Sequence, residues 1–233
     1  MQTVRLEKIK KQSYAWQESL RALRTNLQFC GDDKKVILFT SAMPDEGKST
    51  VVVELARSLT ESGKKVLVID TDMRKSVLAG RLRVKVNKGE LLGLSHYLSG
   101  QRPAGEVLYG TDVSGLFMVF AGPTVPNPTE ILEKEYFQRL IEFGRETFDY
   151  VLIDTAPLGA AIDAALIAKK CDGAVLVVEQ KRAGRRLLQG VIRQLELSEV
   201  KILGVVLNKV KKGFHGYGSY YGQYGIDNKG RGE

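Results

Sequence analysis

The run KVILFTSAMPDEGKST, residues 35–50, constrains this chain more than any other part of it. An apolar, β-branched stretch leads into a short loop, and Gly47-Lys48-Ser49-Thr50 then opens an amphipathic segment. A buried strand that delivers its carboxyl end to Gly-Lys-Ser and a helix is the frame of a P-loop. In such a frame the loop amides and the helix N-terminus face phosphate charge, and Gly47 lets the backbone approach it closely. Lys48 is then placed for the β- and γ-phosphates, and the Ser49 hydroxyl for Mg²⁺. The consensus asks for a glycine five residues before Gly47; Ala42 stands there, so the loop is a variant.

Four further runs have strand length: KVLVID (65–70), YVLID (150–154), GAVLVVE (173–179) and KILGVVLN (201–208). Most are apolar throughout, the pattern of strands covered on both faces. Helical patterns lie between them. KSTVVVELARSLTESG carries Val52, Leu55, Ala56 and Leu59 at helical spacing and closes on Gly63 as a C-cap. TEILEKEYFQRLIEFGRETF reads as one helix with Thr129 as its N-cap. The expectation is an α/β P-loop NTPase, with a mostly parallel twisted sheet and helices on both faces. Residues 1–30 read as an N-terminal helical arm, 31–210 as the P-loop domain and 211–233 as a disordered tail too poor in apolar surface to order itself.

Two cysteines, Cys30 and Cys171, exclude a disulfide framework and have no metal-ligand partners nearby, which fits a reducing cytoplasm. No run is long and apolar enough for a signal peptide or a membrane span. The net charge of +8 is partly gathered in Lys181, Arg182, Arg185, Arg186 and Arg193, which meet no acid until Glu196. A solvated helix face accounts for this stripe, and a nucleic-acid role has only the charge in its favour.

Carboxylates stand at the carboxyl ends of the strands, where open α/β sheets bind ligands: Asp70, with Asp72 two residues on, and Asp154. With them the sequence resembles the bacterial tyrosine kinases of capsule and exopolysaccharide systems, over nearly the whole chain. SAMPDEGKST resembles their variant Walker A, VLVIDTDMR their Walker A′, VLIDTAP their Walker B, and GPTVPNPTEIL (122–132) a Pro-Asn-Pro-x-Glu stretch they share. ESLRALRTNL contains their Glu-x-x-Arg-x-x-Arg oligomerisation motif as Glu18, Arg21 and Arg24.

The resemblance implies ATP and Mg²⁺ as cofactors. Pro44, Asp45, Glu46, Gly47, Lys48, Ser49 and Thr50 would form the nucleotide loop, with Thr50 at the α-phosphate. Asp70 would accept or orient the tyrosine proton, and Ser49, Asp72 and Asp154 would hold the Mg²⁺ shell. Two roles fit Arg74, ordering the loop after Walker A′ or a structural salt bridge. Two fit Asn208, reading the adenine ring or an ordinary turn. Glu18 and Arg21, three residues apart, fit an intrahelical pair, while the resemblance implies that this helix joins neighbouring subunits.

The C-terminal HGYGSYYGQYG carries Tyr217, Tyr220, Tyr221 and Tyr224, four of nine tyrosines, where no core can form. By resemblance these are autophosphorylation sites used between subunits of a ring. A tail of this length spans about 25 Å on average and stretches to roughly 65–70 Å. The family further implies a stand-alone cytoplasmic kinase, a membrane adaptor of the polysaccharide co-polymerase type that recruits it to the inner face of the membrane, and a cognate tyrosine phosphatase. The rival is an ATPase switch of the division-site and plasmid-partition kind. Those ATPases carry a second lysine five residues before the P-loop lysine, a position held here by Met43.

Overall fold

A computed structural model describes residues 2–8, 13–87 and 89–210. In chain order the elements are β1 (Gln2–Leu6), α1 (Tyr14–Phe29), β2 (Val36–Ser41), α2 (Lys48–Glu61), β3 (Val66–Asp70), α3 (Leu78–Leu82), β4 (Val84–Val86), α4 (Leu94–Leu98) and α5 (Ala104–Val107). There follow β5 (Leu108–Thr111), β6 (Leu116–Val119), α6 (Pro128–Glu133), α7 (Glu135–Thr147), β7 (Tyr150–Asp154), α8 (Asp163–Ala168), β8 (Gly173–Glu179), α9 (Arg185–Leu197) and β9 (Ile202–Asn208). The strands form one sheet in the order β4-β1-β5-β6-β3-β7-β2-β8-β9. From β6 to β9 every neighbour is parallel.

Strand pleating divides the apolar residues between two cores. Val36, Leu38, Leu67, Ile69, Val151 and Ile153 face the layer built from α4 to α9. Ile37, Phe39, Val66, Val68 and Leu152 face the layer of α1, α2 and α3. The continuous apolar runs are thus two interleaved faces, each covered. All five strands expected from the sequence are present, and their parallel run brings their carboxyl ends to one edge.

The expected helical arm over residues 1–30 is corrected in its first part. Gln2–Leu6 is a strand, parallel to β5 and antiparallel to β4. Val4 and Leu6 are buried while Thr3 and Arg5 are exposed, the alternation of a half-covered strand. The long helix expected from Thr129 is corrected too. Lys134 is extended, at φ −64° and ψ 156°, and divides it into α6 and α7. Asn127, with Pro128 behind it, starts α6, and Thr129 uses its hydroxyl elsewhere. The tyrosine cluster Tyr217, Tyr220, Tyr221 and Tyr224 lies outside the described residues.

Helix α2 ends as its sequence requires. Gly63, at φ +82°, takes the left-handed position, Lys64 N donates to Leu59 O at 3.1 Å and Gly63 N to Thr60 O at 2.9 Å. That is the Schellman pattern. A further carbonyl of this last turn is met from outside: Arg24 Nη1, on α1, donates to Ser58 O at 2.7 Å. Arg24 therefore places a cation at the negative end of α2. Arg21, by contrast, is exposed and pairs with Glu18 within α1. Arg24→Ala should lower stability by about 1.5–3 kcal/mol, the range for a hydrogen bond made by a charged group. Arg21→Ala should leave it almost unchanged. Urea midpoints of the two variants check this, and equal midpoints would show that Arg24 caps nothing of consequence.

Candidate active site

The P-loop runs from the end of β2 to the start of α2. Gly47 has φ +89°, and a Cβ added there would sit 2.2 Å from Asn208 Nδ2, so glycine is required by both backbone and space. As the N-cap of α2 it offers no side chain to the first turn, which leaves those amides for an anion. Ala42, in place of the consensus glycine, is buried. Its carbonyl is so close to Gly159, after β7, that a Cβ on Gly159 would meet it at 2.1 Å.

A frame from β8 and β9 braces the loop. Glu46 is 1% exposed; its carboxylate accepts Met43 N at 2.8 Å within the loop and Glu179 N at 3.1 Å from the end of β8. Asn208, at the end of β9, donates from Nδ2 to Glu46 O at 2.9 Å. Arg182 Nη1 and Lys209 Nζ donate to Asp45 O at 3.3 and 2.6 Å, and both also bind Glu179. The side chains of Glu46 and Asn208 thus serve the loop's frame in this structure. Pro44 and Asp45, exposed, form its crest, and Asp45 is left-handed at φ +61°.

The carboxylates gather as the sequence implies. Asp70 and Asp154 are register partners on adjacent strands β3 and β7, each 1% exposed. Lys48, itself buried, pairs with Asp154 and lies 3.4 Å from Ser49 Oγ. Thr71 fixes the Asp154 carbonyl with its amide and hydroxyl, both at 2.8 Å. Asp70 accepts Asp72 N at 3.1 Å on one oxygen and the Ser76 hydroxyl on the other. Burial, and then the neighbouring charge of Asp154, push the Asp70 carboxyl up to about 7, against the opposing pull of Ser76, Lys48 and the Asp72 amide.

Asp72 sits at the rim, half-buried, where its Oδ1 accepts Arg74 N at 3.3 Å and Lys75 N at 3.0 Å. Arg74 is engaged with Asp163, a buried residue of α8. Thr50 accepts from Arg81 Nη1 at 3.4 Å, which brings a further guanidinium to the start of α2. Sequence reasoning missed Ser76, Arg81, Asp163 and Lys209. Ser76, two residues past the motif around Asp72, and Lys209, next to Asn208, lay near a signal; Arg81 and Asp163 did not.

Ser49, Asp72 and Asp154 are hard oxygen donors, yet among the described residues no group of three or more His, Cys, Asp or Glu could hold a metal ion by itself. That donor set fits Mg²⁺, which characteristically uses one or two carboxylates and completes its shell with water and phosphate.

Residues 37–219 match the model of the CobQ/CobB/MinD/ParA nucleotide binding domain. The chain is 42% identical over 215 residues to the tyrosine-protein kinase CpsD of Streptococcus agalactiae, covering 92% of each. It is similar to the kinase domain of the Escherichia coli tyrosine kinase ETK at 29% identity and a TM-score of 0.76, covering 86% of this chain and 80% of that one. The fold alone is shared with the septum site-determining protein MinD of Pyrococcus horikoshii OT3, complexed with Mg-ADP, at 23% identity and a TM-score of 0.60, covering 74% and 69%.

The proton affinity of Asp70 has a thermodynamic consequence. In the folded protein the Asp70 carboxyl is pushed up to about 7, against 3.8 for an ordinary aspartate. Ionising Asp70 therefore opposes folding: the penalty is absent below about pH 4, grows through the interval and is complete above about pH 7. Asp70→Asn should become more stable than the wild type as the pH is raised from about 4 to 8. The gain is at most about 4 kcal/mol, each tenfold change in acidity being worth about 1.4 kcal/mol. Thermal melts across this range check it, and a difference that does not widen with pH would refute it.

Proposed function

The chain belongs to the bacterial tyrosine-protein kinases within the CobQ/CobB/MinD/ParA nucleotide-binding family, and from that premise we propose that it phosphorylates Tyr217, Tyr220, Tyr221 and Tyr224 on neighbouring copies of itself and so regulates capsule or exopolysaccharide synthesis. The observation that carries this is the buried Asp70, proton affinity near neutrality, beside the Lys48–Asp154 pair at the mouth of the P-loop.

The free amides at the start of α2 and the loop from Pro44 to Thr50 receive the phosphates of ATP. Lys48 leaves Asp154 for the β- and γ-phosphates, where it stabilises the charge that builds on the bridging oxygen. Mg²⁺, held by Ser49, Asp72 and Asp154, supplies further neutralisation of the phosphates when bound. A tyrosine hydroxyl takes the place of the Ser76 hydroxyl on Asp70. Its oxygen bonds to the γ-phosphorus, the bond from that phosphorus to the β–γ bridging oxygen breaks, ADP leaves, and the phenolic proton passes to Asp70. Phosphoryl transfer asks mainly for positioning and charge neutralisation, so the base gives modest help.

The subunits assemble into a ring through α1, with Glu18 and Arg21 on the exposed side and Arg24 tied to α2. Among the described residues no helix is long and apolar enough to cross a membrane. A membrane adaptor of the polysaccharide co-polymerase type recruits and activates the kinase, and a tyrosine phosphatase resets it.

Purified protein incubated with ATP and Mg²⁺, with and without the adaptor's cytoplasmic segment, and mapped by mass spectrometry tests this. Phosphate is expected on the four tail tyrosines and should be lost in Lys48→Met. ATP hydrolysis without phosphotyrosine, even with the adaptor present, would replace the kinase with an ATPase switch.

A further inference from the structure

The proline-rich stretch 122–132 has no part in the steps above, yet it lies against the loop that follows β3. Val125 N donates to Met73 O at 3.3 Å. Thr129 Oγ1 donates to Asp163 Oδ1 at 2.8 Å. Asp163, the first residue of α8, has a side chain only 2% exposed. From the other side Arg74 reaches the same carboxylate twice, Nε to Oδ2 at 2.7 Å and Nη2 to Oδ1 at 3.0 Å. Burial alone would raise this carboxyl, but the hydrogen bonds from Arg74 and Thr129 outweigh it and hold Asp163 ionised, below the usual carboxylate range.

This fork bears on Asp72. The loop from Asp72 to Lys75 is held internally by one turn, in which Asp72 Oδ1 accepts the amides of Arg74 and Lys75. That turn decides where the Asp72 carboxylate points. It sits at an exposed rim, where its own two hydrogen bonds compete with water. A guanidinium bound through two nitrogens to a buried carboxylate fixes direction as well as position, which a single contact does not. Arg74 is thus both a member of the turn and its anchor to α8.

We propose that Asp163 is a positioning residue: through Arg74 it holds the turn that aims Asp72, and so sets the affinity of the nucleotide site for Mg²⁺. The proposal rests on the reading of Asp72 as a Mg²⁺-shell residue. Partners one shell out from a metal commonly change its affinity by about 10–100-fold when removed. Asp163 stands in that relation, one residue further back.

The test uses the full chain as Asp163→Asn, Arg74→Gln and the double variant, with a fluorescent ADP analogue titrated in EDTA and over a range of Mg²⁺ concentrations. Hydrogen exchange at the Arg74 and Lys75 amides is read on the nucleotide-free proteins. In EDTA, affinity for the ADP analogue should stay within about twofold of the wild type. The Mg²⁺ concentration that half-saturates the tightening of binding should rise about tenfold or more. Exchange at both amides should accelerate, and the double variant should be no worse than either single one, because the two residues act as one unit. Arg74→Gln alters a half-exposed side chain and keeps the test decisive if Asp163→Asn fails to fold. Unchanged Mg²⁺ dependence and exchange in a folded variant would overturn the proposal. Equal weakening with and without Mg²⁺ would overturn it too, as general damage. A wild type that binds in a Mg²⁺-dependent way but transfers no phosphate would sink the kinase reaction and leave this inference standing.

Discussion

Two carboxylates side by side in a dry interior demand a counter-charge, and Lys48 supplies it. Asp70 and Asp154 meet because β3 and β7 are parallel neighbours in register. One lysine serves two acids, so one of them must hold its proton more tightly than usual, and the structure gives that part to Asp70. Lys48 in turn reaches Asp154 only if the loop before it keeps one shape. The buried Glu46 carboxylate, Asn208, Lys209 and Arg182 are arranged to keep it. The two outer strands β8 and β9 thus act on the chemistry without touching it.

This arrangement also explains why Glu46 can be buried at all. A carboxylate out of water needs donors, and backbone amides from two separate segments provide them. The same carboxylate joins loop and sheet, so its own solvation is met by the contacts that hold the loop's shape. Where the consensus has a glycine, Ala42 packs its side chain into the buried core, and the close approach at its carbonyl falls on Gly159, which has no side chain to meet it.

The parts legible in the sequence were those written in consecutive residues. The five parallel strands, the P-loop and the three aspartates each carry a local signature: apolar runs, Gly47 before Lys48, acids at strand ends. The Gly63 cap was legible for the same reason. What escaped depends on contacts across the chain. Residues 2–6 are few, only two of them are apolar, and they are covered on one side only, so their alternation was too short to outweigh the helix that follows. Lys134 breaks a helical pattern that is otherwise unbroken, with no Gly or Pro to mark the place. Asp163 is an ordinary acid at the start of a short helix until Arg74, 89 positions earlier, folds onto it. Arg24 resembles its exposed neighbour Arg21 in every local respect and differs only in what stands opposite.

Arg24 has a consequence beyond the helix it caps. Its guanidinium grips the carboxyl end of α2, whose amino end is the phosphate cradle, and 14 residues of helix join the two. A helix of that length is a stiff rod of about 21 Å. Any body that restrains α1 therefore handles one end of a lever whose other end lies at the nucleotide. Thermodynamics makes such a lever work both ways: whatever factor docking at α1 lends to nucleotide affinity, bound nucleotide returns in the same measure to docking.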